Sequence, residues 1–330
     1  MIEHGGGVLA AARTYGHAPE RWLDLSTGIN PRGWPVPDVP AEVWRRLPEP
    51  DDGLLDAARD YYGTPHLAAT AGSQAAIDAL PALRAPGRVG IIAPTYAEHA
   101  RAWVRAGHTV RETGVDAVPA LLDELDVLVA CNPNNPTAAR LARGTMLAWH
   151  ARLARAGGWL VVDEAFADAD SGESLARECG RPGLVVLRSP GKFLGLAGMR
   201  LGFALGTPEL VAALAERLGP WAVSAPARWV GCRALADRAW HGAERERLAA
   251  ASARLAGLLE ARRLSVAGRT ALFAWVPTRR AAALKEFLAR RAILVRAFAQ
   301  PPGLRFGLPG EPEGWARLET ALDAWSGAHA

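Results

Sequence analysis

Short apolar segments alternate with segments of helical length from about residue 54 to residue 205. The apolar segments include Arg88-Val-Gly-Ile-Ile-Ala93, Asp126-Val-Leu-Val-Ala-Cys131 and Leu184-Val-Val-Leu187. Continuous apolar runs of this length are typical of parallel strands, because helices cover both faces of a parallel sheet. The alternation therefore predicts an α/β fold with a mostly parallel central sheet.

The pattern changes near Trp221, after which a long helix rich in alanine and arginine is predicted over roughly 226–262. Shorter strands and helices follow and indicate a second, smaller α+β domain. Residues 1–50 contain many turn-forming residues, which predict an extended arm. The predicted parts are an N-terminal arm at 1–45 that joins the small domain, a large domain at 46–220 and a small domain at 221–330.

Composition and charge limit the partners of this chain. The net charge is +4 over 330 residues, and the arginines are scattered, which favours small anionic ligands over nucleic acid. The three cysteines form no CxxC pair and have no metal-ligand spacing with histidine, which predicts reduced thiols in a cytoplasmic protein without a metal site. No segment approaches the length of about 18 continuous apolar residues that a membrane span needs, so we expect no membrane partner.

Lys192 is one of only two lysines in the chain, and it lies among glycines in Ser189-Pro-Gly-Lys-Phe-Leu-Gly-Leu-Ala-Gly-Met-Arg200. A chain that draws nearly all its positive charge from arginine, yet keeps a lysine here, indicates chemistry that needs a primary amine. Lysine can lose its proton, whereas arginine cannot. A deprotonated lysine can form a Schiff base with an aldehyde cofactor, and pyridoxal phosphate is the most common such cofactor.

Two further features could bind the phosphate of that cofactor. The segment Gly72-Ser-Gln begins a predicted helix, whose free N-terminal amides would point at an anion. Ser189 and Arg200, three residues before and eight residues after the lysine, could reach the same phosphate. A Gly-Ser helix start is more often a plain cap, so this interpretation depends on the other motifs.

Two segments at predicted strand ends carry groups that suit a pyridine ring. In Asn132-Pro-Asn-Asn135-Pro-Thr137, two prolines would hold an amide over the strand ends. Asp163 ends an apolar strand, and an ionised carboxylate beside the pyridine nitrogen would keep that nitrogen protonated and the ring electron-withdrawing. Ala165 would leave room for the flat ring against the strand.

The order of these motifs, with Tyr96 in Pro94-Thr-Tyr96, resembles the fold-type I aminotransferase superfamily, class I/II, over essentially the whole chain. The resemblance implies a pyridoxal-phosphate enzyme in which Lys192 carries the cofactor and Asp163 and Tyr96 are also catalytic. It implies that Tyr96 stacks on the ring, that Asn135 bonds the ring hydroxyl and that Arg305 grips the substrate carboxylate. The implied cofactor ligands are Gly72, Ser73, Gln74, Tyr96, Asn135, Asp163, Ala165, Ser189, Lys192 and Arg200.

Two N-terminal segments, Glu3-His4-Gly5-Gly6 and Asp24-Leu-Ser-Thr-Gly-Ile-Asn30-Pro-Arg-Gly33, resemble the threonine-phosphate decarboxylases of cobalamin biosynthesis. These are relatives of the histidinol-phosphate aminotransferases, and the resemblance implies that the N-terminal residues bind a substrate phosphate. The implied substrate ligands are His4, Gly5, Asn30, Asn135, Arg140 and Arg305. One departure is Leu47, which stands where relatives usually carry a tyrosine that reaches the neighbouring subunit's cofactor phosphate.

The resemblance leaves alternative functions open. The first is decarboxylation of L-threonine phosphate to (R)-1-amino-2-propanol phosphate by a homodimer, since the family's active sites form at a two-fold interface. The second is transamination of a phosphorylated amino compound such as histidinol phosphate, which uses nearly the same residues. The third is a cofactor-binding protein without turnover. The residues do not separate the first two, but the state of the cofactor after a half-reaction does.

Overall fold

The computed structural model describes residues 4–327 of the chain. The strands are β1 Leu23–Asp24, β2 Leu67–Ala71, β3 Arg88–Ile92, β4 Thr109–Thr113, β5 Val127–Cys131, β6 Trp159–Asp163, β7 Leu184–Arg188, β8 Leu201–Leu205, β9 Gly268–Arg269, β10 Phe273–Pro277, β11 Ile293–Leu294, β12 Arg296–Ala299 and β13 Pro302–Gly307. The α-helices are α1 Val8–Tyr15, α2 Ala41–Arg45, α3 Leu54–Tyr62, α4 Gly72–Ala79, α5 Glu98–Arg105, α6 Val118–Leu121, α7 Arg143–Arg155, α8 Pro190–Phe193, α9 Pro208–Leu218, α10 Ala225–Ala236, α11 Arg238–Glu260, α12 Ala281–Ala289 and α13 Pro312–Gly327. Within the described part of the chain, none of these helices has the length and apolar character that crossing a membrane requires.

The chain divides into two compact units. The larger unit consists of residues 34–135 and 140–242. The smaller unit consists of the described residues up to Gly33, residues 136–139 and those from Ala243 onward. Helix α11 contributes residues to both units, because the division falls inside it.

The domain limits 1–45, 46–220 and 221–330 stay a prediction about folding domains. In the structure, helix α10 packs against α2 and α3. These three helices belong to the larger unit, together with the central sheet.

A seven-stranded sheet forms the centre of the larger unit, in the order β2-β8-β7-β6-β5-β3-β4. The pairs among β3 to β7 are parallel, which confirms the predicted mostly parallel central sheet. Strand β8 runs antiparallel to both of its neighbours, β2 and β7. As a result, β2 and the parallel strands all end at one edge of the sheet, and β8 begins there.

Apolar side chains cover both faces of this sheet. Every residue of β5, β7 and β8 is buried, as a strand covered on both sides requires. One face packs on Met146 and Trp149 of α7, and the other on Ile77 of α4 and Trp103 of α5. Each large apolar side chain that is fully buried stabilises the fold by about 1.5–3 kcal/mol. This packing holds the strands, and therefore the strand ends at the edge of the sheet, in fixed positions.

The smaller unit contains a four-stranded antiparallel sheet in the order β12-β13-β10-β9. Strand β1 pairs in parallel with β11. After β1, the amide of Leu25 donates to the carbonyl of Leu294, and the carbonyl of Leu25 accepts from the amide of Gly307, both at 2.7 Å. The N-terminal segment is thereby held between β11 and the end of β13.

The prediction of an extended arm over residues 1–50 is wrong for two stretches, which form helices α1 and α2. Helix α1 buries Ala11 and Ala12 in a cluster with Trp22, Ala289 and Ala292. These contacts join residues that are far apart in sequence. Tertiary packing therefore determines that α1 forms. The turn-forming residues on either side of α1 mask its helical pattern in the sequence.

The predicted long helix over 226–262 is also wrong, because Asp237 separates α10 from α11. The carboxylate of Asp237 accepts hydrogen bonds from the amide of Trp240 and from Nε1 of Trp34, both at 3.0 Å. The first of these bonds is an N-terminal cap of α11. The helical pattern continues through the cap, so the break is not visible in the local sequence.

Candidate active site

The central strands bring three of the predicted motifs together at the sheet edge. Cys131 at the end of β5 lies in register beside Asp163, and Asp163 lies beside Leu187 of β7. The Asn-Pro loop, Asp163 and Ser189 therefore follow three adjacent strands. Ligand groups of α/β sheets collect at this edge, where parallel strands end.

The turn between β2 and α4 meets the start of β8 at the same edge. Ala71 pairs with Leu201, and this pairing brings Gly72 against Arg200. A Cβ at Gly72 would lie 2.6 Å from Nη2 of Arg200, and φ of Gly72 is +71°. Glycine lets the guanidinium lie this close and adopts this backbone conformation without strain.

Ser73 and Ser189 meet although they are far apart in sequence. Oγ of Ser189 donates to Oγ of Ser73 at 2.8 Å. Ser73 is the second residue of α4, whose first backbone amides have no partner within the helix. The two hydroxyls, these amides and the guanidinium of Arg200 form a donor set that suits a phosphate.

Tyr96 is anchored to the same helix. Its hydroxyl donates to Oε1 of Gln74 at 3.0 Å, and Nε2 of Gln74 donates to Asp78 at 3.2 Å. The ring of Tyr96 lies edge-on to the ring of His99, with centroids 6.1 Å apart. These contacts hold the half-buried tyrosine between α4 and the start of α5.

Asn132 and Asn134 shape the loop that carries Asn135. The buried side chain of Asn132 accepts from the amide of Leu141 at 3.0 Å and donates to its carbonyl at 3.1 Å. Asn134 donates to the carbonyl of Pro94 at 2.8 Å. Asn135 itself is half-buried, and the other two asparagines hold it at the end of β5.

Asp163 forms a buried pair with His99, a residue that the sequence analysis did not identify. Oδ2 of Asp163 lies 3.0 Å from Nε2 of His99, and Oδ1 accepts from the amide of Ala165 at 3.0 Å. Burial acts to raise the pKa of Asp163, but the hydrogen bond and charge of His99, the charge of Lys192 and the Ala165 amide together lower it. Asp163 is therefore ionised at neutral pH although it is buried.

We expect this pair to stabilise the fold in a pH-dependent way. Burial acts to lower the pKa of His99, but Cys131 and Asp163 raise it from 6.5 to about 10. The contribution of His99 is therefore complete below about pH 6.5 and is lost as the pH rises to about 10, whereas that of Asp163 is lost in acid. His99→Gln should lower the free energy of unfolding by about 3 kcal/mol near pH 6 and by clearly less above about pH 9.

Denaturant unfolding of both proteins at the two pH values measures this difference. The matched control is His108→Gln, which removes another buried imidazole. The ring of His108 bonds the amide of Gly87 and the carbonyl of Pro81, so the control leaves every carboxylate with its partner. A loss of stability from His99→Gln that is the same at both pH values would contradict the expected ion pair.

Lys192 lies on the short helix α8, which directly follows β7. Its Nζ is 5.0 Å from the centroid of the Phe166 ring. Its charge is close enough to Asp163 to lower the pKa of that carboxyl. The predicted amine and the predicted carboxylate therefore lie near each other, at the same edge of the sheet.

A buried ion network behind these residues was not predicted from the sequence. The guanidinium of Arg188 contacts the carboxylates of Glu164 and Asp168, and all three residues are buried. Burial acts to lower the pKa of Arg188, but the two carboxylates hold it well above its ordinary value. Glu164 follows Asp163 and Arg188 precedes Ser189, so the network fixes the spacing of the two site residues.

In the smaller unit, Arg305 on β13 lies in register opposite Arg296 on β12. Arg305 is 2% exposed, and its Nη2 donates to the carbonyl of Ser26. Burial and the positive charge of Arg296 lower the pKa of Arg305 to about 9. Like charges in direct register repel, so this pair of arginines suits an anionic ligand. The sequence analysis identified Arg305 but missed Arg296, whose signal is the strand register.

The N-terminal residues predicted to bind a phosphate pack against Ser26. His4 is exposed, while Gly5 and Gly6 approach Ser26 closely. A Cβ at Gly5 would lie 2.5 Å from the Ser26 carbonyl oxygen. The amide of Gly6 donates to Oγ of Ser26 at 2.8 Å. The structure therefore brings this segment near the serine that holds Arg305.

Asn30 is buried and tied to helix α11. Its Nδ2 donates to Oε1 of Glu244 at 2.7 Å, and its Oδ1 accepts from Nη2 of Arg247 at 2.8 Å. The amide of Arg32 also donates to Oδ1, at 3.0 Å. These bonds make Asn30 a structural link between the N-terminal segment and the helix, and they bring Arg247 beside it.

Arg140 forms an ion pair in the larger unit. Its Nη2 lies 2.9 Å from Oδ2 of Asp170, and its side chain is 33% exposed. The predicted role of Arg140 as a phosphate ligand stays a prediction.

Comparison with known proteins identifies the family. The family model for aminotransferase class I and II matches residues 47–323. The threonine-phosphate decarboxylase of Pseudomonas aeruginosa is 55% identical over 98% of this chain and 97% of its own length. That of a Sinorhizobium species is 43% identical over 97% of each chain.

Solved structures share the fold. The histidinol-phosphate aminotransferase from Sinorhizobium meliloti, solved in complex with pyridoxal-5'-phosphate, aligns with a TM-score of 0.84 over 98% of this chain and 95% of that one. Its sequence is 19% identical, so the likeness concerns the fold alone. The resemblance found in the sequence motifs is thus confirmed. The chain belongs to the class I and II aminotransferase family and, within it, to the family of the threonine-phosphate decarboxylases.

Proposed function

We propose that this protein removes the carboxyl group of L-threonine phosphate as carbon dioxide and yields (R)-1-amino-2-propanol phosphate for cobalamin biosynthesis. Pyridoxal phosphate is the proposed cofactor. One observation supports the proposal above all: in a chain of this family, the Lys192 amine and the ionised Asp163 carboxylate lie near each other at the sheet edge.

The donor set at the start of α4 fits the cofactor phosphate. The hydroxyls of Ser73 and Ser189 meet there, beside free amides of the helix N-terminus. Arg200 supplies the positive charge, and Gly72 lets the guanidinium approach where a Cβ would prevent it. Gln74 belongs to the same turn and orients Tyr96 through its side-chain oxygen.

The groups at the ends of β5 and β6 fit the cofactor ring. Bound pyridoxal phosphate supplies an aldehyde that captures amines and a ring that accepts electrons from bonds at the substrate α-carbon. Asp163, kept ionised by His99, holds the ring nitrogen protonated. Asn135 would bond the ring hydroxyl, Tyr96 would stack on the ring, and the small side chain of Ala165 would leave room for it.

Lys192 has two proposed tasks. Its amine would bond the cofactor aldehyde, and the same amine would be free to act on a proton once the substrate amine has taken that place. The face of the Phe166 ring lies 5.0 Å from Nζ of Lys192 and bounds the space around the amine. After carbon dioxide has left, Lys192 returns a proton to the α-carbon.

The substrate has two anionic groups, and the smaller unit supplies proposed ligands for each of them. Arg305 binds the carboxylate through its planar guanidinium, and Arg296 adds a second cation in register with it. His4 and Gly5 bind the phosphate. Holding both groups would fix the orientation of the α-carbon, and we propose that this orientation favours cleavage of its bond to the carboxylate. Asn30, Asn135 and Arg140 complete the proposed set of substrate ligands.

Incubation of the holoenzyme with L-threonine phosphate tests the proposal. We expect release of carbon dioxide and a product with the mass of aminopropanol phosphate. Formation of a keto acid without carbon dioxide would reject decarboxylation in favour of transamination. A protein that binds pyridoxal phosphate but turns over neither L-threonine phosphate nor histidinol phosphate would reject both reactions.

We further propose that the protein is a cytoplasmic homodimer. Exposed large apolar side chains of the larger unit include Trp44 at 67%, Leu47 at 64% and Trp221 at 58%. Trp221 and Pro48, the neighbour of Leu47, line one cavity of about 660 Å³. Large apolar side chains left exposed beside such a cavity are typical of interfaces. Light scattering should give twice the chain mass of 35.0 kDa, and a monomer at micromolar concentration would contradict the dimer.

A further inference from the structure

Ser26 contacts two parts of the smaller unit through different atoms. Its Oγ accepts from the amide of Gly6 at 2.8 Å, and its carbonyl accepts from Nη2 of Arg305. Ser26 is 3% exposed; its bond to Arg305 is buried, and its bond to Gly6 is partly buried. Ser26 thus links an N-terminal glycine, through its hydroxyl, to Arg305, through its carbonyl, and constrains where each can lie.

Asp24 determines the direction of the Ser26 hydroxyl. The amide and the hydroxyl of Ser26 both donate to Oδ1 of Asp24, at 2.8 Å and 2.6 Å. Since a hydroxyl has a single proton, this bond leaves the oxygen as the acceptor for Gly6. Leu25 is fixed on both sides by backbone bonds to Leu294 and Gly307, so the carbonyl of Ser26 also has a fixed direction.

The N-terminal segment fits against Ser26 in one position. A Cβ at Gly5 would lie 2.5 Å from the carbonyl oxygen of Ser26, a distance that real Cβ atoms do not reach. Gly6 has a φ of +86°, which L-residues with side chains rarely adopt. The two glycines therefore allow the segment to lie on the same carbonyl group that Arg305 contacts.

We infer that Ser26 is a positioning residue, which sets the N-terminal phosphate-binding segment relative to Arg305 and thereby selects a substrate with a phosphate and a carboxylate at the matching separation. The inference rests on the proposed function. Ser26 acts only through Gly6 and Arg305, because its own polar atoms are all used within the protein.

Substitution of Ser26 separates its two contacts. Ser26→Ala removes the hydroxyl bond to Gly6 but keeps the carbonyl bond to Arg305. We expect the KM for L-threonine phosphate to rise about 10-fold while kcat changes less than about twofold, since the cofactor residues are untouched. Gly5→Ala displaces the same segment by steric contact and should give the same KM effect. Ser26→Thr keeps a hydroxyl and should return KM to near the wild-type value.

The matched control is Ser252→Ala. Ser252 is another buried serine of the smaller unit, and its hydroxyl donates to the carbonyl of Thr270 at 2.7 Å. It should leave KM unchanged, although it also removes a buried hydrogen bond. Binding of unphosphorylated L-threonine, followed by the cofactor absorption, should be equal in wild type and Ser26→Ala, because that ligand lacks the phosphate.

The outcomes distinguish this inference from the proposed function. If the wild type releases carbon dioxide and the folded Ser26→Ala and Gly5→Ala holoenzymes keep the wild-type KM, the inference is wrong and the proposed function stands. If Ser26→Ala weakens the binding of L-threonine as much as that of L-threonine phosphate, the serine has a general structural role. The inference is then also wrong. If the wild type releases no carbon dioxide from L-threonine phosphate, the proposed function is wrong, and the inference that rests on it is wrong as well.

Discussion

Lys192→Ala should abolish turnover and remove the absorption of the covalently bound cofactor. The substitution takes away the amine proposed to hold the aldehyde, and it leaves the proposed phosphate ligands Ser73, Ser189 and Arg200 in place. We therefore expect the variant to keep some affinity for pyridoxal phosphate while kcat falls by a factor on the order of 10⁴ or more. Carbon dioxide release and the absorption spectrum of the purified variant measure the two effects.

The chain offers a clean control, because Lys285 is its one other lysine. Lys285 lies on α12 in the smaller unit. Lys285→Ala should keep wild-type activity and the wild-type spectrum. After borohydride reduction of the wild-type holoenzyme, peptide mass analysis should find the cofactor on the Lys192 peptide. Cofactor on the Lys285 peptide, or turnover by Lys192→Ala, would refute the assignment.

Asp163→Asn should lower kcat by a factor on the order of 10³. Asparagine keeps the size of the side chain and an oxygen that can accept from the amide of Ala165. It removes the negative charge that pairs with His99 and that we propose keeps the ring nitrogen protonated. The loss should appear in kcat more than in KM, since the substrate ligands are elsewhere.

Asp126→Asn is the matched control for this substitution. Oδ2 of Asp126 also accepts from a backbone amide, that of Arg88, at 2.7 Å. Asp126 stands directly before β5, whereas the candidate site lies where β5 ends, so this carboxylate is at the opposite edge of the sheet. Its removal should leave kcat unchanged. If Asp163→Asn retained the wild-type kcat, the proposed catalytic role of the Asp163 carboxylate would be wrong.

The strands that build the site could be predicted from the sequence because they are buried on both faces. The segment predicted as a strand at 126–131 is β5 Val127–Cys131, and that at 184–187 is β7 Leu184–Arg188. A strand covered on both sides needs apolar residues at every position, and this pattern is local. The cofactor motifs directly follow these strands, so their meeting at one edge follows from the parallel topology.

Other parts of the site depend on contacts that no local pattern contains. His99 lies one helical turn after Tyr96, and its partner Asp163 is 64 residues further along the chain. Arg296 belongs to the candidate site because the register between β12 and β13 places it opposite Arg305. Two arginines on neighbouring predicted strands are the available signal, but the register that pairs them is set by tertiary structure.

The helix boundaries that were predicted wrongly have the same cause. Asp237 interrupts the predicted long helix with the help of Trp34, which is 203 residues away. Helix α1 is stabilised by Ala289 and Ala292 near the other end of the chain. Local propensity is a weak signal where such distant contacts decide the backbone.

The fate of the substrate carboxyl carbon in a single turnover tests the central claim most directly. Holoenzyme in excess over L-threonine phosphate, labelled at the carboxyl carbon, should release the label as carbon dioxide and return to its starting cofactor spectrum. Retention of the label in a keto acid, with the cofactor left as pyridoxamine phosphate, would contradict decarboxylation and establish transamination instead.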